Sequence, residues 1–506
     1  MQDAAYGTLL REPRRALHAR IAEAIESQFA EIADTQPELL ARHYMEAGQT
    51  KIAATLWGKA GQRSLERSAL VEAVEQLTRA LGLLATLAPN PHVRREQIKL
   101  QVALINPLMH VKGFAAPETK TAAERARLLV EQAEAFGEPL EDPVILFSIL
   151  YGFWVANQVA FNGDRIRELA EQFLALAEKQ ADTVPLTVGH RLMGTSLMQT
   201  ASFAEGRAHL DQAMALCEAN NRPHATRFGM DVRISILCYR SWTLWMLGYP
   251  EAALADAEHA LDEVRQIDQA ATVMYALNHV SFTHMFCGNY EAATAEAAEL
   301  LVLAKKKDTA LWEASGVMNQ GDLLALVGRT SDAVPMTISG IAAYQSTGAT
   351  IYIPWHLSPL AWAHADLSQF DEAQRCSDQA ITVVETTNER WSEAEVHRIT
   401  GEVVLMSPDR NAAKAEDYFE RALAVARQQR AKSWELRAAM SLARLWRDQG
   451  KPQQARELLA PVYGLSITHN SCADRGAQPD IGETGQAAPH HDVPRRRIIG
   501  AREVSA

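Results

Sequence analysis

The stretch GYPEAALADAEHAL, Gly248 to Leu261, decides the fold. It opens on a turn signal and runs into an alanine-rich helical pattern. The same motif returns at a fixed interval. Gly248-Tyr-Pro-Glu-Ala-Ala253 is followed forty residues later by Gly288-Asn-Tyr-Glu-Ala-Ala293, then by Gly328-Arg-Thr-Ser-Asp-Ala333 and by Ser368-Gln-Phe-Asp-Glu-Ala373, without an insertion. Four and seven positions beyond the alanine stand Ala257 and Ala260, Ala297 and Leu300, Thr337 and Gly340, Ser377 and Ala380. Steps of four and three stay on one helix face, so each copy predicts a helix packed closely on a neighbour.

Seven residues before each turn comes another small residue: Ser241, Ser281, Gly321 and Ala361, with Gly401 continuing the step. A small side chain there lets the following helix approach, so each unit is expected to be a helix hairpin. Glycine in three of the four turns predicts a left-handed helix end. Weaker copies extend the array at Gly206, Leu210 and Ala213, at Ala415, Phe419 and Ala422, and at Ala455, Leu459 and Val462. Toward the N-terminus the rhythm recurs at Gly48, Ala53, Trp57 and Ala60, at Ala73, Leu77 and Ala80, and at Ala170, Leu174 and Ala177. Only about residues 90–160 fit it poorly. The expected fold is all-α, an α-solenoid of antiparallel helix hairpins whose stability sums over nearest neighbours.

This pattern resembles the tetratricopeptide repeat over residues 41–463, most strongly over 235–463. The period is forty rather than the family's thirty-four, which implies longer helices. A second resemblance lies in DAAYGTLLREPRRALHARIAEAIESQFAEIADTQPELLARHYMEAGQTKIAATLWGKAGQRSLERSALVEAVEQLTRAL, residues 3–81. It is similar to the junction in large bacterial class III adenylate/guanylate cyclases where a P-loop ATPase of the STAND type gives way to helical repeats. The resemblance implies a remnant of winged-helix-like linker helices at 1–40, degenerate repeats at 41–160, and a tetratricopeptide-like solenoid at 161–464. Residues 465–506 lose the periodicity, cluster Gly, Pro, His and Asp, and are expected to be disordered.

On this reading the chain starts inside a domain, as a split gene or a truncated product. It carries neither the phosphate-binding glycine loop nor the paired metal-binding aspartates of the cyclase core. The implied function is a non-catalytic regulatory scaffold, with a protein or the family's own cyclase/ATPase module as partner. Two alternatives are a stand-alone adaptor for a protein partner and an active cyclase-associated enzyme.

The 506 residues exceed what one core usually holds, about 250–300. Fifty basic against 62 acidic residues leave a net charge of −12, which gives no electrostatic reason to approach nucleic acid or an anionic membrane. No apolar run reaches the ~18–20 residues of a membrane span, and MQDAAYGTLLREPRR lacks signal-peptide order, so a cytoplasmic location is expected. The five cysteines, Cys217, Cys238, Cys287, Cys376 and Cys472, are too scattered for a disulfide framework or a metal site.

No catalytic set, cofactor site or metal site is indicated. His279 and His284 are five apart, which is not the helical spacing of two ligands. His284 and His364 take positions filled by Leu244 and Leu324 in sister copies and read as packing residues. Glu251, Glu291 and Lys305–Lys307 fall where helix dipoles favour their charges. Arg495–Arg497 reads as a solvated feature of the tail.

The feature that could carry function is aromatic. In tetratricopeptide-like arrays the first helices line a concave groove. The expected partner-binding residues there are Trp242, Trp245, Tyr275, Asn278, Phe282, Asn319, Trp355 and Trp362, with Met285, Met318, Asp322 and His356 nearby. Aromatic side chains give large contact area at low entropic cost. The competing reading is that these rings fill space between long helices.

Overall fold

The alternation of alanine stripes and turn residues builds, in the computed structural model, twenty-three α-helices among the described residues. The structure describes residues 11–67, 69–114, 116–138, 144–180, 182–220, 230–267 and 269–473, and no strand occurs among them. Two compact units divide the chain: Met1–Ala160 with Thr347–Ala349, and Phe161–Ser346 with Thr350–Ala506.

In the first unit, α1 (Arg11–Gln28), α2 (Ala30–Thr35) and α3 (Pro37–Glu46) lead into α4 (Thr50–Glu66), α5 (Leu70–Ala85), α6 (Pro91–Val111), α7 (Pro117–Ala135) and α8 (Val144–Val159). Ala22 of α1, Leu40 and Tyr44 of α3 and Ala53 of α4 form one cluster, so the segment before the repeats packs onto them. Where the forty-residue rhythm is lost, Pro91–Val111 and Pro117–Ala135 are helical too.

The second unit begins with α9 (Gly163–Gln180) and continues as seven hairpins. These are α10 (Thr183–Gln199) with α11 (Phe203–Asn220), α12 (Val232–Met246) with α13 (Pro250–Val264), and α14 (Ala270–Cys287) with α15 (Tyr290–Lys307). Next come α16 (Ala310–Leu326) with α17 (Thr330–Ser346), α18 (Ile353–Asp366) with α19 (Phe370–Thr387), α20 (Glu393–Met406) with α21 (Ala412–Gln428), and α22 (Lys432–Asp448) with α23 (Pro452–Ala473). This is an all-α solenoid of the tetratricopeptide-like type.

The periodic residues act as the spacing requires. Ala253, Ala257 and Ala260 are fully buried, as are Ala293, Ala297 and Leu300. A Cβ on Gly321 would lie 2.2 Å from the Thr337 hydroxyl oxygen, so the small position sets the approach of α16 and α17. In the sister hairpin the Ser281 hydroxyl donates to the Ala293 carbonyl at 3.1 Å. Every hairpin turn of the second unit except that between α20 and α21 closes with a left-handed residue and a backbone hydrogen bond from the next one, as in Asn289 N–H to His284 O at 2.8 Å. Gly288 has φ +79°, but Ser368 and Ala201 hold the same turn position at +62° and +67°. Packing of the two helices on either side imposes the conformation even where a Cβ opposes it.

Two expectations need correction. Strict nearest-neighbour additivity does not describe the second unit, because several hydrogen bonds skip repeats. The Ser433 hydroxyl of α22 donates to the Trp245 carbonyl of α12 at 2.5 Å. Arg390 N–H reaches the Gln199 carbonyl at 3.0 Å, and the Asn388 amide reaches Asp164 at 3.0 Å. The irregular tail was also expected from 465, whereas α23 runs to Ala473. Ala455 and Val462 anchor that helix, and extending a formed helix is far easier than nucleating one. The remainder of the tail, with Arg495–Arg497, lies outside the described residues.

Candidate interaction site

The first helices of the second unit converge their rings. Trp242 lies at the centre, with ring centroids 4.9 Å from Phe282, 5.1 Å from His279, 5.4 Å from Tyr352 and 5.5 Å from Trp391. Its indole N–H donates to the His279 carbonyl at 2.9 Å. Trp245 stacks on Phe286 at 4.9 Å and meets Trp434 edge-on at 4.6 Å. Trp355 stacks on Trp391 at 5.6 Å. Edge-on and offset contacts of this kind are the favoured arrangements of aromatic pairs.

Of the eight residues expected to line a groove, seven are buried, Trp355 being the most exposed of them at 6%. Trp242, Trp245, Tyr275, Phe282 and Trp355 join this cluster. Asn278 and Asn319 meet each other instead, the Asn319 amide donating to Asn278 Oδ1 at 3.1 Å. Trp362 stands apart and is half-buried. In this conformation the inner face is therefore packed against itself.

Sequence reasoning missed Tyr239, Phe286, Tyr352, Trp391 and Trp434, which complete the cluster. Stepping back one period from Trp391 and Trp434 gives Ile351 and Ala394, so no recurrence announces them. They reach Trp242 and Trp245 because the unit's later repeats return to its earlier ones.

Buried polar groups line the same interior. Tyr239 and Tyr352 share a hydroxyl–hydroxyl hydrogen bond of 3.2 Å. His279 Nδ1 lies 2.8 Å from the Tyr275 carbonyl, and its Nε2 has no partner. Burial holds the His279 imidazole down at about 4, the neighbouring carbonyl opposing that shift and Arg191 adding to it. His356 Nδ1 is 2.7 Å from Asp322 Oδ2. Burial pushes the Asp322 carboxyl above its ordinary range, with His356 pulling the other way.

His284 pairs with Glu296 across its hairpin at 2.8 Å, and His364 with Gln369 at 2.6 Å, so both are buried structural groups. Further along, burial disfavours the Glu395 carboxylate, but Arg398 and Arg437 outweigh it and hold that group at about 2. Among the described residues no group of three or more His, Cys, Asp and Glu could hold a metal ion. No helix among them is long and apolar enough to cross a membrane.

No protein-family profile matches the sequence. An uncharacterized protein of Rhizobium meliloti is 23% identical over 450 residues, covering 88% of this chain and 43% of that protein. The chain thus spans less than half the length of the curated relative it matches. Among solved structures, a Rap protein complexed with competence and sporulation factor superimposes with a TM-score of 0.54 at 11% identity, covering 74% of this chain and 98% of that one. The apo quorum sensor NprR of B. thuringiensis gives a TM-score of 0.45 at 12% identity, covering 73% and 99%.

Proposed function

We propose that the chain is a non-catalytic interaction scaffold, the repeat region of a longer signalling protein of the adenylate/guanylate cyclase class. The observation that carries this reading is the second unit itself, an array of hairpins whose inner helices converge on one aromatic cluster. The Rap protein of similar fold is complexed with competence and sporulation factor, which supports a binding role. The resemblance of residues 3–81 supports a cyclase–ATPase context, and the greater length of the relative supports a longer protein.

A protein partner meets Trp362 first, because that ring is reachable in the packed conformation. Trp242, Trp245, Tyr275, Asn278, Phe282, Asn319 and Trp355 become contacts only when the Ser433–Trp245 link opens. Two assays test the proposal. The purified chain alone is expected to form no cyclic nucleotide, and adding it to a cyclase–ATPase polypeptide of this class is expected to change that enzyme's rate. Robust cyclase activity from the chain alone, or an unaltered rate at saturating chain, would refute it.

A further inference from the structure

The turn joining α19 to α20 gathers polar atoms that hydrogen bonding within the chain leaves open. Glu389 is fully buried. Its Oε1 accepts from the Tyr352 amide and from the Trp391 indole, each at 2.9 Å, while Oε2 has no partner. Three residues on, the buried Ser392 hydroxyl is also open. Gln199 is brought to this turn by the Arg390 amide, which donates to its backbone carbonyl, and its buried side-chain amide is without partners. From α21's end, Gln429 donates to the Arg390 carbonyl at 3.2 Å and leaves its own Oε1 open.

The chemistry of this set is narrow. Its open oxygens are one carboxylate, two amides and one hydroxyl, with no thiol or imidazole, which suits a hard cation. A carboxylate removed from water is strongly disfavoured unless a positive charge or sufficient donors meet it. The adjacent Arg390 guanidinium is directed to Asn388 and Glu393 instead. One carboxylate balances one positive charge, whereas calcium sites commonly combine several carboxylates. Tyr352, whose amide Glu389 holds, also adopts φ +70°, an unfavourable conformation for a bulky residue that the surrounding contacts maintain.

We infer that this turn binds a monovalent cation, held by Glu389 Oε2 with the side-chain oxygens of Gln199, Ser392 and Gln429. Potassium, sodium and ammonium share the required chemistry. Thermal unfolding of the full chain in their chlorides, against choline chloride at equal ionic strength, separates them from each other and from a general salt effect. Near-saturating cation is expected to raise the midpoint by about 2–4 °C over choline. Glu389→Gln is expected to abolish the difference. Equal midpoints in all four salts, or a response that survives Glu389→Gln, would overturn the site. Should that variant fail to fold, crystals of the unaltered chain grown with rubidium decide: an anomalous peak beside Glu389 Oε2 supports the site, and its absence overturns it.

Discussion

The two helices of one hairpin, α14 and α15, come from the same repeat and live in different surroundings. On α14 every residue from Met274 to Phe286 is buried. On α15 only Ala293, Glu296, Ala297, Leu300 and Ala304 are, and Val302 is 69% exposed. A helix covered all round belongs to a protein interior, whereas a one-sided stripe marks a surface helix. The second helices thus behave as an ordinary solenoid exterior. The first helices behave as the core of a globular domain, because partners reach them from distant repeats as well as from neighbouring ones.

The hardest test of that contrast is truncation on each face. Trp242→Ala is expected to lose about 3–5 kcal/mol in urea denaturation, while Val302→Ala stays within about 0.5 kcal/mol of the parent. A Trp242→Ala variant that loses less than about 1 kcal/mol would mean the inner face is not core. Acid bears on the inner helices through their buried titratable groups. The His279 imidazole is held at about 4 when folded and titrates near 6.5 when unfolded, so the unfolded chain binds the extra proton between those values. The contribution of this group is therefore full above the upper value and falls as the pH drops through the window, by about 2 kcal/mol at about pH 5, while Glu389, raised to about 7 by burial, contributes in the opposite direction. His397, also lowered to about 4 by burial and by Arg421, adds in the same direction as His279. From about pH 7 to about pH 5 the midpoint of His279→Gln should change more favourably than that of the unaltered chain, and identical changes would show that burial does not keep this histidine neutral.

The turn between the two helices gives a smaller effect of either sign. Gly288→Ala, at φ +79°, should destabilise by about 1–2 kcal/mol, and Ser368→Gly, at +62°, should stabilise by up to about 1 kcal/mol. Opposite shifts of the thermal midpoint would establish that one conformation is imposed on both. The smallest effect belongs to the outside. Breaking the exposed Arg329–Asp332 pair with Arg329→Ala should cost less than about 0.5 kcal/mol and nothing at high salt.

The same contrast explains what the sequence made legible. Second helices are readable because a half-exposed helix must alternate faces, so Ala253, Ala257 and Ala260 recur at helical spacing. The small residue at Gly321 and the turn at Gly248 are readable because steric contact leaves few substitutes. First helices carry no such alternation, since a fully enclosed helix is apolar or hydrogen-bonded on every side. The rings of Trp242 and Phe282 could therefore be placed on an inner face, but not assigned to a groove or to a core. What decided their burial were Trp391 and Trp434, which arrive from far along the chain. Nothing local to Trp242 encodes them.

The link from Ser433 to Trp245 spans 188 residues of sequence. An open solenoid pulled from its ends should surrender its repeats one after another, in a staircase of similar force steps. Here the second unit is fastened across its own coil, so the early hairpins cannot peel away while the later ones hold. Its mechanical signature should be a single large rupture followed by weak, closely spaced events, more like a clasp giving way than a zipper opening.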